Sequence, residues 1–237
     1  MNHQEQLLFK KGEKMKRLGL PTIIICLFVA ISSYGKPLPV ANPDPESMFG
    51  VDKNINIKNI DEWLGRDDVA YIDVRMLLDP GDFKKIGGDP VLSGTIEGFE
   101  VVPYPYIANL IGLPPEVAKT QYSGPTLFTL TWDKHGKIET VKDNYRESKM
   151  IIDDLFPKDK AIFLLCGGGG YSSLMRSFLV KMGYDPKKIF VLGGFWTYRG
   201  SKTQHIKVSY GENNIYEYNA FHRLKYHMIK FDELHKI

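Results

Sequence analysis

Apolar and polar positions along this chain fall into short blocks whose period changes repeatedly between that of a strand and that of a helix. Ala161-Ile162-Phe163-Leu164-Leu165 is a continuous apolar run ending at Cys166, the pattern of a strand buried on both faces of a parallel sheet. Gly167-Gly168-Gly169-Gly170 follow, and Leu174, Phe178 and Leu179 then recur at helical spacing up to Gly183-Tyr184. This predicts a strand, a glycine turn and a helix, with Cys166 at the mouth of the turn. Asp68 to Val74 is rich in β-branched and aromatic residues and reads as a second strand, preceded by Asn59 to Leu64, a short helix with capping-type residues. Thr126 to Trp132 alternates, Asp133 to Lys137 reads as a turn and Ile138 to Val141 alternates again, which predicts a β-hairpin over about 126–141. Tyr145 to Phe156 reads as a helix. Past Ile206-Lys207-Val208, a stripe of Tyr218, Phe221, Leu224, Met228 and Phe231 predicts a helix over 216–237 that packs on the domain or meets a protein partner. Strands separated by helical segments make the fold class α/β, a central mainly parallel sheet flanked by helices with an inserted hairpin and a C-terminal helical extension.

The beginning of the chain follows a different pattern. Leu20 to Ile31 is a short apolar run, preceded by Lys10, Lys11, Lys14, Lys16 and Arg17 and followed by Ser32-Ser33-Tyr34-Gly35. This is the arrangement of a secretory signal cleaved after Gly35, and Met15 is a second candidate start. An uncleaved N-terminal anchor over residues 20–34 is the alternative, and the only membrane contact the sequence suggests. Cys26 lies inside the run, but Ile25 before it is larger than a lipid attachment site wants. The expected divisions are then residues 1–35 as signal or anchor, 36–54 as a proline-rich linker or an arm along the domain, 55–202 as the domain and 203–237 as an extension. The location that follows is the periplasm or cell envelope.

Composition narrows the function. With 237 residues and 43% hydrophobic content the chain can bury one good core. Its 31 basic and 28 acidic residues nearly cancel, and no basic stretch interleaved with aromatics points to nucleic acid. The six histidines are scattered without ligand spacing, so no metal or other cofactor is expected. Two cysteines are present, and signal removal would leave Cys166 alone, with no intrachain disulfide in a compartment where paired cysteines are usual.

Consecutive glycines let backbone N–H groups turn toward one point, and a helix N-terminus adds positive potential there. The reading of Cys166 that follows is a reactive thiol with a lowered pKa and an anion-binding loop from Gly167, Gly168, Gly169, Gly170 and Tyr171 to Ser172 and Ser173. The plain alternative is a structural cysteine beside a flexible turn. Tyr171 and Ser172 either donate hydrogen bonds to a ligand or cap the helix.

This loop resembles the active-site loop of the rhodanese-like, or sulfurtransferase, domain. Tyr71-Ile72-Asp73-Val74-Arg75 is similar to that family's strand ending in Asp-Val-Arg, and Ser93 to Pro103 to its segment leading into a strand and proline. Gly183-Tyr184 and Val191-Leu192-Gly193-Gly194-Phe195 are similar to its late elements, with Tyr198 where a Trp is usual. The resemblance covers about residues 57–200. It implies sulfur transfer: Cys166 takes sulfane sulfur as a persulfide from a small anionic donor such as thiosulfate and passes it to a thiol or cyanide-like acceptor. Asp73 and Arg75 are supporting residues in this picture, Arg75 either as a structural partner or as a charge for the site. The loop departs from the family in carrying no Arg or Lys, which leaves open a second reading, a rhodanese-fold binding or scaffold module using the hairpin or C-terminal helix. A related phosphatase is disfavoured, because the sixth residue after the cysteine is Ser172 rather than a phosphate-holding Arg.

Overall fold

Residues 36–75, 94–109, 125–205, 208–210, 216–218 and 229–237 are described by a computed structural model. The signal or anchor segment, the loop around Asp82 and Gly87, Pro114-Pro115, and Phe221, Leu224 and Met228 lie outside them.

The central element is a four-stranded parallel sheet. It contains β1 (Val69–Asp73), β3 (Glu100–Val101), β6 (Ala161–Cys166) and β7 (Ile189–Gly194), in the order β3-β1-β6-β7. Strands β6 and β7 are buried along their whole length, as a continuous apolar run requires when both sheet faces are covered. Period-two alternation divides β6 between two cores. Ile162, Leu164 and Cys166 face a core with Met175, Phe178, Phe128 and Leu130, while Phe163 and Leu165 face a second one with Ile55, Ile60, Trp63, Phe190 and Leu192. The cysteine therefore continues a row of core side chains.

The first core is covered by α3 (Gly170–Lys181), whose buried positions are Ser172, Met175, Phe178 and Leu179. Leu174, expected in the stripe, is only half-buried; Met175 takes its place. The helix ends in a Schellman arrangement, with Gly183 N–H bonded to the Val180 carbonyl and Tyr184 N–H to that of Leu179. The hairpin is present as β4 (Phe128–Trp132) paired antiparallel with β5 (Ile138–Asp143). It packs onto the same face of the sheet, with the Phe128 and Phe178 rings 5.0 Å apart. Between hairpin and β6 lies α2 (Ser148–Leu155), and a single helical turn, α1 (Tyr104–Ile107), follows β3.

The proline-rich segment runs beside β7. Ala41 N–H bonds to the Lys187 carbonyl and Asp52 N–H to that of Val191. Asp52 is 1% exposed, and its carboxylate accepts backbone N–H bonds from Asn42, Asn54 and Ile55, which compensates the burial of its charge. The segment is an arm of the unit spanning Pro37–Ile237.

The C-terminal helix expected over 216–237 is not formed at either described end. Tyr216–Tyr218 is a strand, β10, paired antiparallel with β9 (Val208–Tyr210). Two aromatics flanking Glu217 suit a strand as readily as a helix stripe, and pairing decides between them. Phe231–Glu233 is one 3₁₀ turn whose Phe231 ring lies 5.6 Å from Tyr145 and 6.2 Å from Tyr106. The end of the chain is held by His235, whose N–H and ring nitrogen both contact the Glu147 carboxylate. Thr203–His205, placed by sequence in the extension, is β8 and pairs with β2 (Gly94–Ile96) inside the domain.

Candidate functional site

Cys166 is the last residue of β6, opposite Gly194 of β7, and the chain turns from it into α3 through the glycines. Gly169 has φ +106°, a left-handed conformation in which a Cβ is strained, and it is the N-cap of α3. This conformation brings the Gly169 N–H to 2.9 Å from the Cys166 Sγ. The Ser172 hydroxyl donates to the Gly169 carbonyl at 2.7 Å and lies 3.9 Å from Sγ, so it both closes the first turn of the helix and reaches the sulfur. A second glycine is required by close approach. A Cβ on Gly194 would stand 2.6 Å from the Gly167 carbonyl oxygen, and the Trp196 N–H binds that same carbonyl at 3.1 Å. The end of β7 is thus locked against the cysteine loop.

The supporting pair at the end of β1 forms a buried polar cluster. Asp73 is fully buried and accepts from the Arg75 guanidinium, the Arg75 N–H and the Thr95 hydroxyl. Arg75 is 6% exposed and also donates to the Gly94 carbonyl at 2.6 Å. Of its two expected roles the structural one is what these bonds describe: the guanidinium joins β1 to β2.

The electrostatics overturn one expectation. Cys166 is 1% exposed, and burial pushes its thiol above the ordinary range. The Asp73 charge raises it further, while hydrogen bonds from Ser172 and Gly169 pull it down without prevailing. The resting sulfur is therefore a neutral thiol and not the exposed thiolate expected from a helix N-terminus. The difference comes from the core under α3, where Cys166 is buried with Met175, Phe178 and Phe128, and which the glycine pattern does not reveal. Two aromatic rings also pack against the loop itself. The Trp196 indole lies 3.0 Å from where a Cβ on Gly167 would stand and 3.2 Å from one on Gly168, and the Phe49 ring lies 2.8 Å from one on Gly169. Glycine's lack of a side chain is used here to admit two aromatic rings against the loop. Trp196 is itself 49% exposed and Met48, beside Phe49, 87%.

Tyr171 sits half-buried on the first turn of α3, with its ring 5.5 Å from that of Tyr104. Burial, and next the charge on Cys166, push its hydroxyl up to about 12. Among the described residues the buried Tyr104 hydroxyl has no hydrogen-bond partner. The structure thus brings Gly169 and Ser172 to the Cys166 sulfur, with Asp73 and Tyr171 near enough to interact with it electrostatically, and binds Arg75 to Asp73 and the Gly94 carbonyl. Gly167 and Gly168 serve as a floor for Trp196. Ser173 bonds its N–H to the Gly169 carbonyl at 3.3 Å. Phe49, Trp196 and Tyr104 were missed by sequence reasoning; the only signal for the first two was an aromatic inside a polar arm and another just after Gly193-Gly194-Phe195. Among the described residues no three His, Cys, Asp or Glu side chains come together as a metal site. No family profile, curated protein or solved structure matches the chain.

Proposed function

We propose that this chain is an exported rhodanese-like sulfurtransferase that carries sulfane sulfur on Cys166. The observation that supports this best is the 2.9 Å approach of the Gly169 N–H to Sγ, held by a left-handed glycine at the N-terminus of α3. A donor placed there would hydrogen-bond a thiolate or the inner sulfur of a persulfide. With thiosulfate, the Cys166 sulfur attacks the outer sulfur, the new Sγ–S bond forms and the S–S bond of thiosulfate breaks. The products are the persulfide anion and sulfite, which takes the thiol proton as bisulfite. In the second half an acceptor thiolate or cyanide attacks the terminal sulfur and leaves Cys166 as a thiolate. The proton matters because the resting thiol is neutral, and a donor must reach a sulfur that is 1% exposed. The export signal comes from the apolar run at Leu20 to Ile31.

The test is thiocyanate production from cyanide across a panel of sulfane-sulfur donors. Turnover that disappears in Cys166→Ser supports the reading, and none with any donor removes it. A second reading, a rhodanese-fold binding module in the cell envelope, is favoured by the burial of Cys166 and its raised thiol pKa. It predicts that alkylation of Cys166 stays slow up to alkaline pH and that no donor accelerates loss of the free thiol.

A further inference from the structure

The end of the chain, residues 229–237, is held against the domain along one short seam. The Arg146 N–H bonds to the His235 carbonyl at 2.9 Å and the Ile237 N–H to the Asn144 carbonyl at 3.1 Å, an antiparallel bridge centred on Tyr145 and Lys236. Phe231 rests its ring on Tyr106 and Tyr145, which are 6% and 3% exposed, and Ile229 and Leu234 pack on the same core. All three apolar residues of the segment are only half-buried. A segment with so few buried contacts opens at lower cost than the domain unfolds.

One side-chain pair closes the seam. Glu147, the N-cap residue of α2, accepts the His235 backbone N–H at 3.1 Å and faces His235 Nδ1 with its other oxygen at 2.6 Å. The side-chain hydrogen bond from His235 holds the Glu147 carboxyl below its usual range, so it is an anion near neutral pH. Whether the contact holds then depends on the ring. An imidazolium donates through Nδ1 and brings a charge, whereas a neutral ring keeps the bond only in the tautomer with its proton on Nδ1, and without the charge. The neighbouring charged groups are otherwise engaged or lie along the chain beside the pair. Lys149 of α2 binds Asp143, Lys230 of the segment binds Glu233, Arg146 precedes Glu147, and Asp232 and Lys236 belong to the segment itself. The charge that acts on Glu147 is that of His235. Burial raises the Tyr106 and Tyr145 hydroxyls, so both stay neutral through this range.

We propose that residues 229–237 form a pH-sensitive strap, clasped while a charged His235 ring faces the Glu147 carboxylate and loosened when that ring loses its proton. Loosening uncovers the aromatic seat of Tyr106 and Tyr145 under Phe231. Imidazoles ordinarily change charge between about pH 5 and 8, so the clasp is tightest on the acid side of that range and weakest at its alkaline end. Farther down, protonation of Glu147 removes the anion, and the clasp weakens again as pH falls through its lowered pKa. The strap does not depend on the sulfane-sulfur reading of Cys166.

The test is hydrogen exchange on the full chain at about pH 5.5 and about pH 8, corrected for intrinsic exchange rates and read on peptides covering 144–147, 229–237 and α3. In wild type the first two should be about two- to fivefold more protected at the acid pH, the range an exposed ion pair supplies. His235→Gln and Glu147→Gln should each show the same protection at both pH values, near the alkaline level of wild type. Equal wild-type protection at the two pH values overturns the proposal, and so does a pH dependence that persists in either variant. A change shared by the α3 peptides reports on the whole domain and overturns it as well.

Discussion

Phe49→Ala should loosen the loop that follows Cys166 and so raise access to its thiol. The Phe49 ring rests against Gly169 and Gly170 from the proline-rich arm, and Cys166 is 1% exposed. An alkylating reagent therefore reacts with the fraction of molecules in which the loop is open. Fully burying a phenylalanine contributes about 1.5 to 3 kcal/mol, and half of that, about 0.75 to 1.5 kcal/mol, suits a partly buried ring. If this energy holds the loop closed, its loss raises the open population, and with it the alkylation rate, roughly four- to twelvefold. The rate tracks that population while opening and reclosing are fast compared with alkylation. Iodoacetamide kinetics at fixed pH, read on Cys166 by mass, supply the assay. Denaturant unfolding of the same variant shows how much of any effect is global. Met48→Ala is the control, because Met48 is 87% exposed and its removal should leave the rate unchanged. An unchanged rate in Phe49→Ala, with unfolding unaffected, would show that the arm does not hold the loop closed.

Gly169→Ala should lose about 1 to 2 kcal/mol more stability than Gly168→Ala in denaturant titrations, because only Gly169 has a left-handed φ and its Cβ would meet Phe49 at 2.8 Å. Equal losses would refute the assigned role of the Gly169 conformation. The thiol also makes stability depend on pH. Its folded pKa is raised above the unfolded value, so its contribution is complete below about pH 8.5 and is lost as pH rises through the folded pKa. Wild type should accordingly lose melting temperature above about pH 8.5 more steeply than Cys166→Ser, and parallel curves would contradict the raised pKa.

The strand, glycine turn and helix around Cys166 were legible because each follows from a local period: a continuous apolar run, a glycine cluster, then a 3.6-residue stripe. The hairpin was legible for the same reason, alternation interrupted by a turn at Asp133 to Gly136. Burial of the thiol was not, since it depends on a core that α3 and the hairpin bring over β6 from separate parts of the chain, Met175, Phe178 and Phe128 among them. At the described ends of the predicted C-terminal helix the departure has another reason. Aromatics at Tyr216 and Tyr218 satisfy a strand as well as a helix, and the choice rests on pairing with Val208–Tyr210, a contact outside any local window. Arg75 shows the limit for charges: an arginine next to a cysteine strand is compatible with ligand binding until Asp73, Thr95 and Gly94 are seen around it.

The central claim is that Cys166 accepts a sulfur atom and gives it up, and it is tested most directly with thiosulfate labelled in its outer sulfur. The account predicts that the label moves onto wild-type protein, is absent from Cys166→Ser, and leaves with cyanide or a small thiol in proportion to the amount bound. Label that never reaches the protein, or that binds Cys166→Ser equally, would contradict it.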